Sequence, residues 1–207
     1  MLENAAATAA GLLAILLMFG PVSGGHFNAV VSLVDAAFGG ISRRDALTYI
    51  PAQIAGCISG AIAANAMFAL AAVSISSHHR ASPEHLLAEV IATLGLLLVS
   101  FALAGSGRAA TAPAAVGAYI GAAYWFTSST SFANPTISVG RIFSDTFAGI
   151  APASVPAFVV AQLVGGLLAF AAVRVLYPDV GPAAAAEVVV PHEERVLVDG
   201  DVRAARP

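Results

Sequence analysis

The sequence predicts an all-α membrane protein, with five transmembrane helices and two re-entrant half-helices that meet at the midplane. Three observations predict it. The chain is 58% hydrophobic and only 10% charged, with mean hydropathy +0.85, whereas a soluble domain carries about 25% charge. The stretch Ser131-Phe132-Ala133-Asn134-Pro135-Thr136-Ile137-Ser138-Val139-Gly140-Arg141 runs from small polar residues through an Asn into a helix-compatible run, and Gly24 to Leu33, through Asn28, echoes it. The pattern A-Q-x-x-G follows each Asn, as Ala52-Gln53-Ile54-Ala55-Gly56 and Ala161-Gln162-Leu163-Val164-Gly165. Asn is a good N-cap, and Pro135 stands at the first helical position, where proline is tolerated. A helix of about 10 residues is ~15 Å long, half of a ~30 Å hydrocarbon core. Two such halves entering from opposite faces act together as one span.

The elements follow in order. An Ala- and Leu-rich segment covers about residues 4–21 and ends at Gly20-Pro21. Residues 22–27 form the first re-entrant approach, and 28–38 the first half-helix, stopped by Gly39-Gly40. A polar loop holds Arg43, Arg44 and Asp45. The second span covers about 46–74, long enough to cross with tilt. A polar loop runs from Ser76 to Glu84, the third span covers 84–104, and Gly105-Ser106-Gly107-Arg108 is a tight turn. The fourth span covers 110–127. Ser and Thr residues over 127–131 lead into the second half-helix, 134–144, and the fifth span covers 152–177. Residues 178–207 are expected to be a mobile cytoplasmic tail.

Every fixed positive charge is an arginine, because the chain has no lysine. Arg43, Arg44, Arg108 and Arg174, with the arginines of the tail, fall on one side of the predicted topology, and only Arg80 lies in a loop on the other. The first side is therefore read as cytoplasmic. The chain divides into a first repeat, about residues 1–75, and a second, about 83–177. The second copy has two spans before its half-helix, one opening at Glu89, but the first has only one. Stepping back from Asn28 by the Glu89–Asn134 spacing lands before Met1. The chain is thus expected either to start downstream of a longer product or to be a five-span variant.

Over about residues 4–177 the chain resembles the aquaporin (major intrinsic protein) family. The resemblance rests on Ser23-Gly24-Gly25-His26-Phe27-Asn28-Ala29-Val30, Asn134-Pro135-Thr136, Glu89-Val90-Ile91-Ala92-Thr93 and both A-Q-x-x-G helices. It implies an aquaporin-like channel domain, here without its first span. Asn28 and Asn134 would then stand at the pore midplane, each capping its half-helix through oxygen and offering N–H groups to the lumen. The positive half-helix ends that meet there disfavour cations. Ala29 and Val30 replace the family's Pro and Ala after Asn28, and Ile137 stands where many members carry an arginine.

Family spacing puts the remaining filter positions near Thr8, Ala122 and Ser131, all small, which implies a wide, weakly polar filter. Arg141 is expected to pair with Asp145 or interfacial water, with a displaced vestibule charge as the alternative reading. Glu89, ionisable inside a span, is expected to scaffold the second loop, with Gln53 and Gln162 as further scaffold residues; a coupling-ion site is the alternative. His26 is either a pH-responsive residue at the cytoplasmic mouth or a loop-packing histidine. Cys57 reads as a small core residue.

The first functional reading is a passive channel for small uncharged solutes, such as glycerol-like polyols, water, and metalloid hydroxides such as arsenous acid. The last follows from the stretches Phe126 to Pro135 and Ser144 to Ile150, which are similar to bacterial aquaporin-like proteins associated with arsenic resistance. The alternatives are an ion-coupled transporter working through Glu89 or Asp35, and a truncated, non-conducting protein. The resemblance implies a homotetramer in the bacterial inner membrane, with the lipid bilayer and small neutral solutes as partners. No cofactor, metal, nucleic acid or enzymatic chemistry is expected. His78, His79 and His85 lack metal-ligand spacing, and no nucleophile–base pair stands together.

Overall fold

The computed structural model describes residues 1–188. Among them the helices are α1 (Leu2–Ser23), α2 (Ala29–Phe38), α3 (Arg43–Met67), α4 (Pro83–Gly105), α5 (Ala112–Phe126), α6 (Pro135–Gly140), α7 (Val155–Leu176) and α8 (Pro182–Ala185). The stretches Leu2–Ser23, Arg43–Met67, Pro83–Gly105 and Pro152–Leu176 are each long and apolar enough to cross a membrane. Helix α5 has 15 residues and is preceded by a 3-10 turn, Ala109–Thr111. Together they reach ~28 Å, close to the hydrocarbon thickness.

Three expected boundaries change. The second span stops at Met67 rather than near 74. Ala69 takes a left-handed φ of 56°, and the Leu70 N–H donates back to Asn65 O at 2.8 Å. That is a helix stop of the Schellman kind with alanine in the place usually held by glycine. Beyond it the chain turns back over the 3-10 turn that follows α6, where the Ser76 N–H donates to Ile142 O at 2.8 Å. The second half-helix is α-helical only to Gly140 and tightens into a 3-10 turn, Arg141–Phe143. The expected tail does not begin at 178. Val180, Ala185 and Val188 are buried, and α8 lies so close that a Cβ on Gly40 would meet Ala185 at 2.6 Å. These small apolar residues find a seat in the glycine gaps at Gly39-Gly40 and Gly105. The rest of the expected tail, 189–207, lies outside the described residues.

The bundle is held by close backbone approach. Helix α4 runs along α7, and a Cβ on Gly165 would sit 2.6 Å from Val90 O and 2.9 Å from Thr93 Cβ. Helix α1 crosses α5 where a Cβ on Gly117 would lie 2.7 Å from Ala9 O. Such contacts let helices pack by van der Waals forces, the main attraction between helices in lipid. Helix α3 differs. Gly56, the counterpart of Gly165, has nothing within 4 Å of its Cβ position. Only 6% of the apolar stretch of α3 is buried, against 44% for α4.

The two re-entrant loops share one backbone path. Four and three residues before its Asn, the first loop places Gly24 (φ 70°) and Gly25 (φ 68°), and the second places Thr130 (φ 63°) and Ser131 (φ 53°). Ala133 adds φ 47°. Left-handed backbone costs a residue with a Cβ roughly 1–2 kcal/mol, so the second loop carries about 3–6 kcal/mol of strain. Glu89, fully buried, offsets it. Its carboxylate accepts from the Phe132 N–H at 2.9 Å and the Ala133 N–H at 2.8 Å. Hydrogen bonds to a charged group contribute about 1.5–3 kcal/mol each. Gln162 Nε2 donates to the same carboxylate at 2.6 Å.

Gly165→Leu is expected to destabilise the protein by about 1–3 kcal/mol through overpacking, while Gly56→Leu is near neutral; thermal unfolding in detergent compares them. Glu89→Gln leaves a loop N–H facing an amide donor and is expected to cost about 1.5–3 kcal/mol. Thr130→Gly in that background is expected to recover about 1 kcal/mol, because Thr130 Oγ1 makes no hydrogen bond that would be lost. A double variant no more stable than Glu89→Gln alone would show that strain is not what Glu89 opposes.

Candidate functional site: a pore along the half-helix ends

Helices α2 and α6 meet end to end at their N-termini. Asn28 Oδ1 accepts from the Val30 N–H at 3.0 Å, and Asn134 Oδ1 accepts from the Thr136 N–H at 3.0 Å. Capping takes the oxygen of each amide, so the NH2 faces outward from its helix. Asn28 Nδ2 donates to Ala133 O at 2.7 Å, and Asn134 Nδ2 donates to Phe27 O at 2.8 Å. Each Asn thus ties its own helix start to the other loop, and each amide keeps a second N–H. Ala29 starts α2 as Pro135 starts α6, so the missing proline does not move the cap.

Both asparagines line a cavity of about 530 Å³. Much of the lining is apolar, with Leu12, Leu16, Val31, Leu96 and Ile120. The rest carries single polar groups, among them His26, Gln53 and Ser131. A hydroxylated solute can set its carbon edge on the apolar lining and its oxygens toward the donors. The half-helix ends bring about +0.5 of a charge each to the meeting point, which raises the energy of a passing cation.

At the end near Gly25, His26 is buried, with Nδ1 3.1 Å from Ser32 Oγ and Nε2 3.3 Å from Asp35 Oδ2. Gln53 Nε2 donates to His26 O at 2.5 Å and to Ser32 Oγ at 3.2 Å. In the second repeat Gln162 makes the matching contact, donating to Ser138 Oγ at 3.0 Å. Gln53 and Gln162 therefore hold corresponding serines, but only Gln162 also meets a glutamate. The ring of His26 lies 5.4 Å from that of Tyr49.

The end near Arg141 departs from the expected filter. Thr8, Ser131 and Ile137 line the cavity, but Ala122 is exposed on the outside of the bundle. Two residues further, Tyr124 faces inward in its place. Family spacing misses this because a two-residue shift turns a helix position by about 200°. Nor are the side chains here all small, since Tyr124, Phe132 and Arg141 all reach the lumen. Arg141 is not paired with Asp145. Asp145 Oδ1 accepts instead from the Ser77 N–H at 2.9 Å and lies 3.7 Å from His78 Nε2. The Ser77 N–H holds that carboxyl below its ordinary range, and the hydroxyl of Ser77 and the nearby His78 add to the effect. Arg141 Nη2 donates to Tyr124 Oη at 3.0 Å, and the residue lines the cavity. Cys57 is not a core residue: it lines the cavity, with Sγ 3.7 Å from Thr136 Oγ1.

The expected coupling residues are placed otherwise than a carrier needs. Both oxygens of Glu89 are engaged by loop and helix donors, and Asp35 stands behind His26. Comparison with known proteins agrees with the geometry. The family described as Major intrinsic protein matches residues 1–140. Aquaglyceroporin AqpS of Rhizobium meliloti (strain 1021) is 43% identical over 182 residues, which is 88% of this chain and 78% of that protein. With two capped half-helices meeting at one lumen and a matched family, the chain belongs to the major intrinsic protein family and is an integral membrane channel for small uncharged solutes, not an enzyme.

Proposed function

We propose that the chain conducts glycerol-like polyols and water, and that arsenous acid, a neutral trihydroxy solute close to glycerol in size and polarity, passes by the same route. The observation that carries this reading is the reciprocal Asn28–Asn134 exchange, which leaves each amide a second N–H in a cavity whose lining is largely apolar. The relative named an aquaglyceroporin supports glycerol as a solute. Four of the arginines that flank spans (Arg43, Arg44, Arg108, Arg174) share one side of the topology, which supports a cytoplasmic C-terminus, and the bacterial source of the relative supports a bacterial inner membrane. We read the assembly as a homotetramer, in which neighbouring subunits lie against outward faces such as that of α3.

Stopped-flow light scattering on proteoliposomes of the chain tests the reading. Water and glycerol permeability are expected well above empty liposomes and unchanged by a proton uncoupler. Asn134→Asp is expected to lower glycerol flux at least ~10-fold, since it replaces a donor by a buried charge. Arsenous acid is followed in the same vesicles by arsenic uptake. Its exclusion from an open channel removes that solute from the reading. Well-folded protein with no flux of any solute overturns the channel reading for this chain.

A further inference from the structure

A buried acid at the His26 end of the lumen is closed off from water by the last described residues. Asp35 is fully buried, and neither carboxylate oxygen makes a hydrogen bond among the described residues. Its ion-pair partner there is His26, with Nε2 3.3 Å from Oδ2. The far side of Asp35 is a single glycine. A Cβ on Gly40 would fall against Asp35 Oδ1, and would also lie 2.6 Å from Ala185 C and 2.6 Å from Ala186 N. The carboxylate and the strap formed by residues 180–188 therefore close on the same glycine, with no side chain between them. Apolar contacts seat the strap. Val180 fills the gap at Gly105, with Cγ2 2.5 Å from that Cβ position, and Pro182 Cγ lies 3.3 Å from the Cβ position of Gly39. Val180, Ala185 and Val188 join one buried cluster with Phe38 of α2 and Phe101 of α4. The cavity lining includes His26 but none of these strap residues.

We propose that residues 180–188 are a latch for this end of the pore, with Asp35 as the residue that positions His26. A carboxylate sealed from water must draw on its one nearby partner, because an unpaired buried charge is costly. The docked strap keeps the seal, so Asp35 and Ser32 hold the imidazole by its two nitrogens at the edge of the lumen. Release of the strap admits water to Asp35 past Gly40. The hydrated carboxylate no longer holds Nε2, and the ring is free to turn across the lumen, where it obstructs water and glycerol alike. Strap and lumen thus share one two-state element, and whatever favours the released strap favours the closed pore. The inference rests on the channel reading above.

The experiment reads water and glycerol permeability of the full chain in proteoliposomes after the strap is released. Val180→Asp sets a charge in the apolar gap at Gly105. It is expected to lower both permeabilities roughly fivefold or more, the scale of a latch shifted to its released state. In a His26→Ala background the same change is expected to move them less than about twofold, because the side chain that obstructs is gone. Pro182→Cys gives a second route that does not depend on folding with a buried charge. Pro182 is exposed and stands against Gly39, so the folded, reconstituted variant can be alkylated with a bulky maleimide that wedges the strap away. The parent chain treated alike controls for Cys57. The same fall is expected, and the same loss of that fall without the His26 ring. An equal fall with and without His26 overturns the proposal, because that marks the strap as merely structural. Unchanged permeability under both treatments, in a parent chain that conducts, overturns this inference alone. A parent chain that conducts neither solute overturns the channel reading and this inference with it.

Discussion

The exchange of one hydrogen bond in each direction between the two half-helix starts is what the rest of the structure depends on. Two helix N-termini carry like partial charge and would repel if simply set end to end. The asparagines resolve this by sending an N–H from each side onto a carbonyl of the other. Each carbonyl belongs to the residue just before the opposite Asn, so the loops must bring Phe27 O and Ala133 O to the axis. The glycines of the first loop, the Glu89 clamp on the second and the Gln–Ser contacts behind both serve that placement. The lumen is then what remains beside the joint.

Much of this was legible in the sequence because it rests on local chemistry. Asn followed by a helix-compatible run announces a cap, and the repeated A-Q-x-x-G announces two equivalent helices. Glu89 was legible from its place in an apolar helix, where a free carboxylate is too costly to keep unpartnered. The missed features depend on conformation or on facing. Ala69 stops α3 in a backbone state that glycine normally signals. Family spacing points to Ala122, but the way α5 packs on α1 turns Tyr124 inward instead. Arg141 and Asp145 stand at an i,i+4 spacing that suits a helix pair. The helix tightens at Gly140, and the loop before α4 takes Asp145 instead.

The two repeats are alike in backbone and unlike in charge. Seven residues after Asn28 stands Asp35, and seven after Asn134 stands Arg141. His26 against Asp35 is matched by Phe132 against Arg141, each two residues before its Asn. The fold thus places an acid and a base at corresponding positions on opposite sides of a symmetric joint. The acid is screened behind a histidine and the base lines the lumen, so the end near Arg141 is the more positive of the two.

The contrast between glycine in the first loop and a clamped, strained path in the second bears on the order in which the chain is made. Residues 24 and 25 leave the ribosome before α4 exists, and glycine lets them take a left-handed path at little steric cost. Thr130, Ser131 and Ala133 follow Glu89 in the chain, so their tether is already synthesised when they emerge. The first loop is then held by donors that follow it in the chain, Tyr49 on Ser23 O and Gln53 on His26 O. The second acquires its shape only by docking on an earlier helix, which makes insertion of α4 the step that the later half of the pore must wait for.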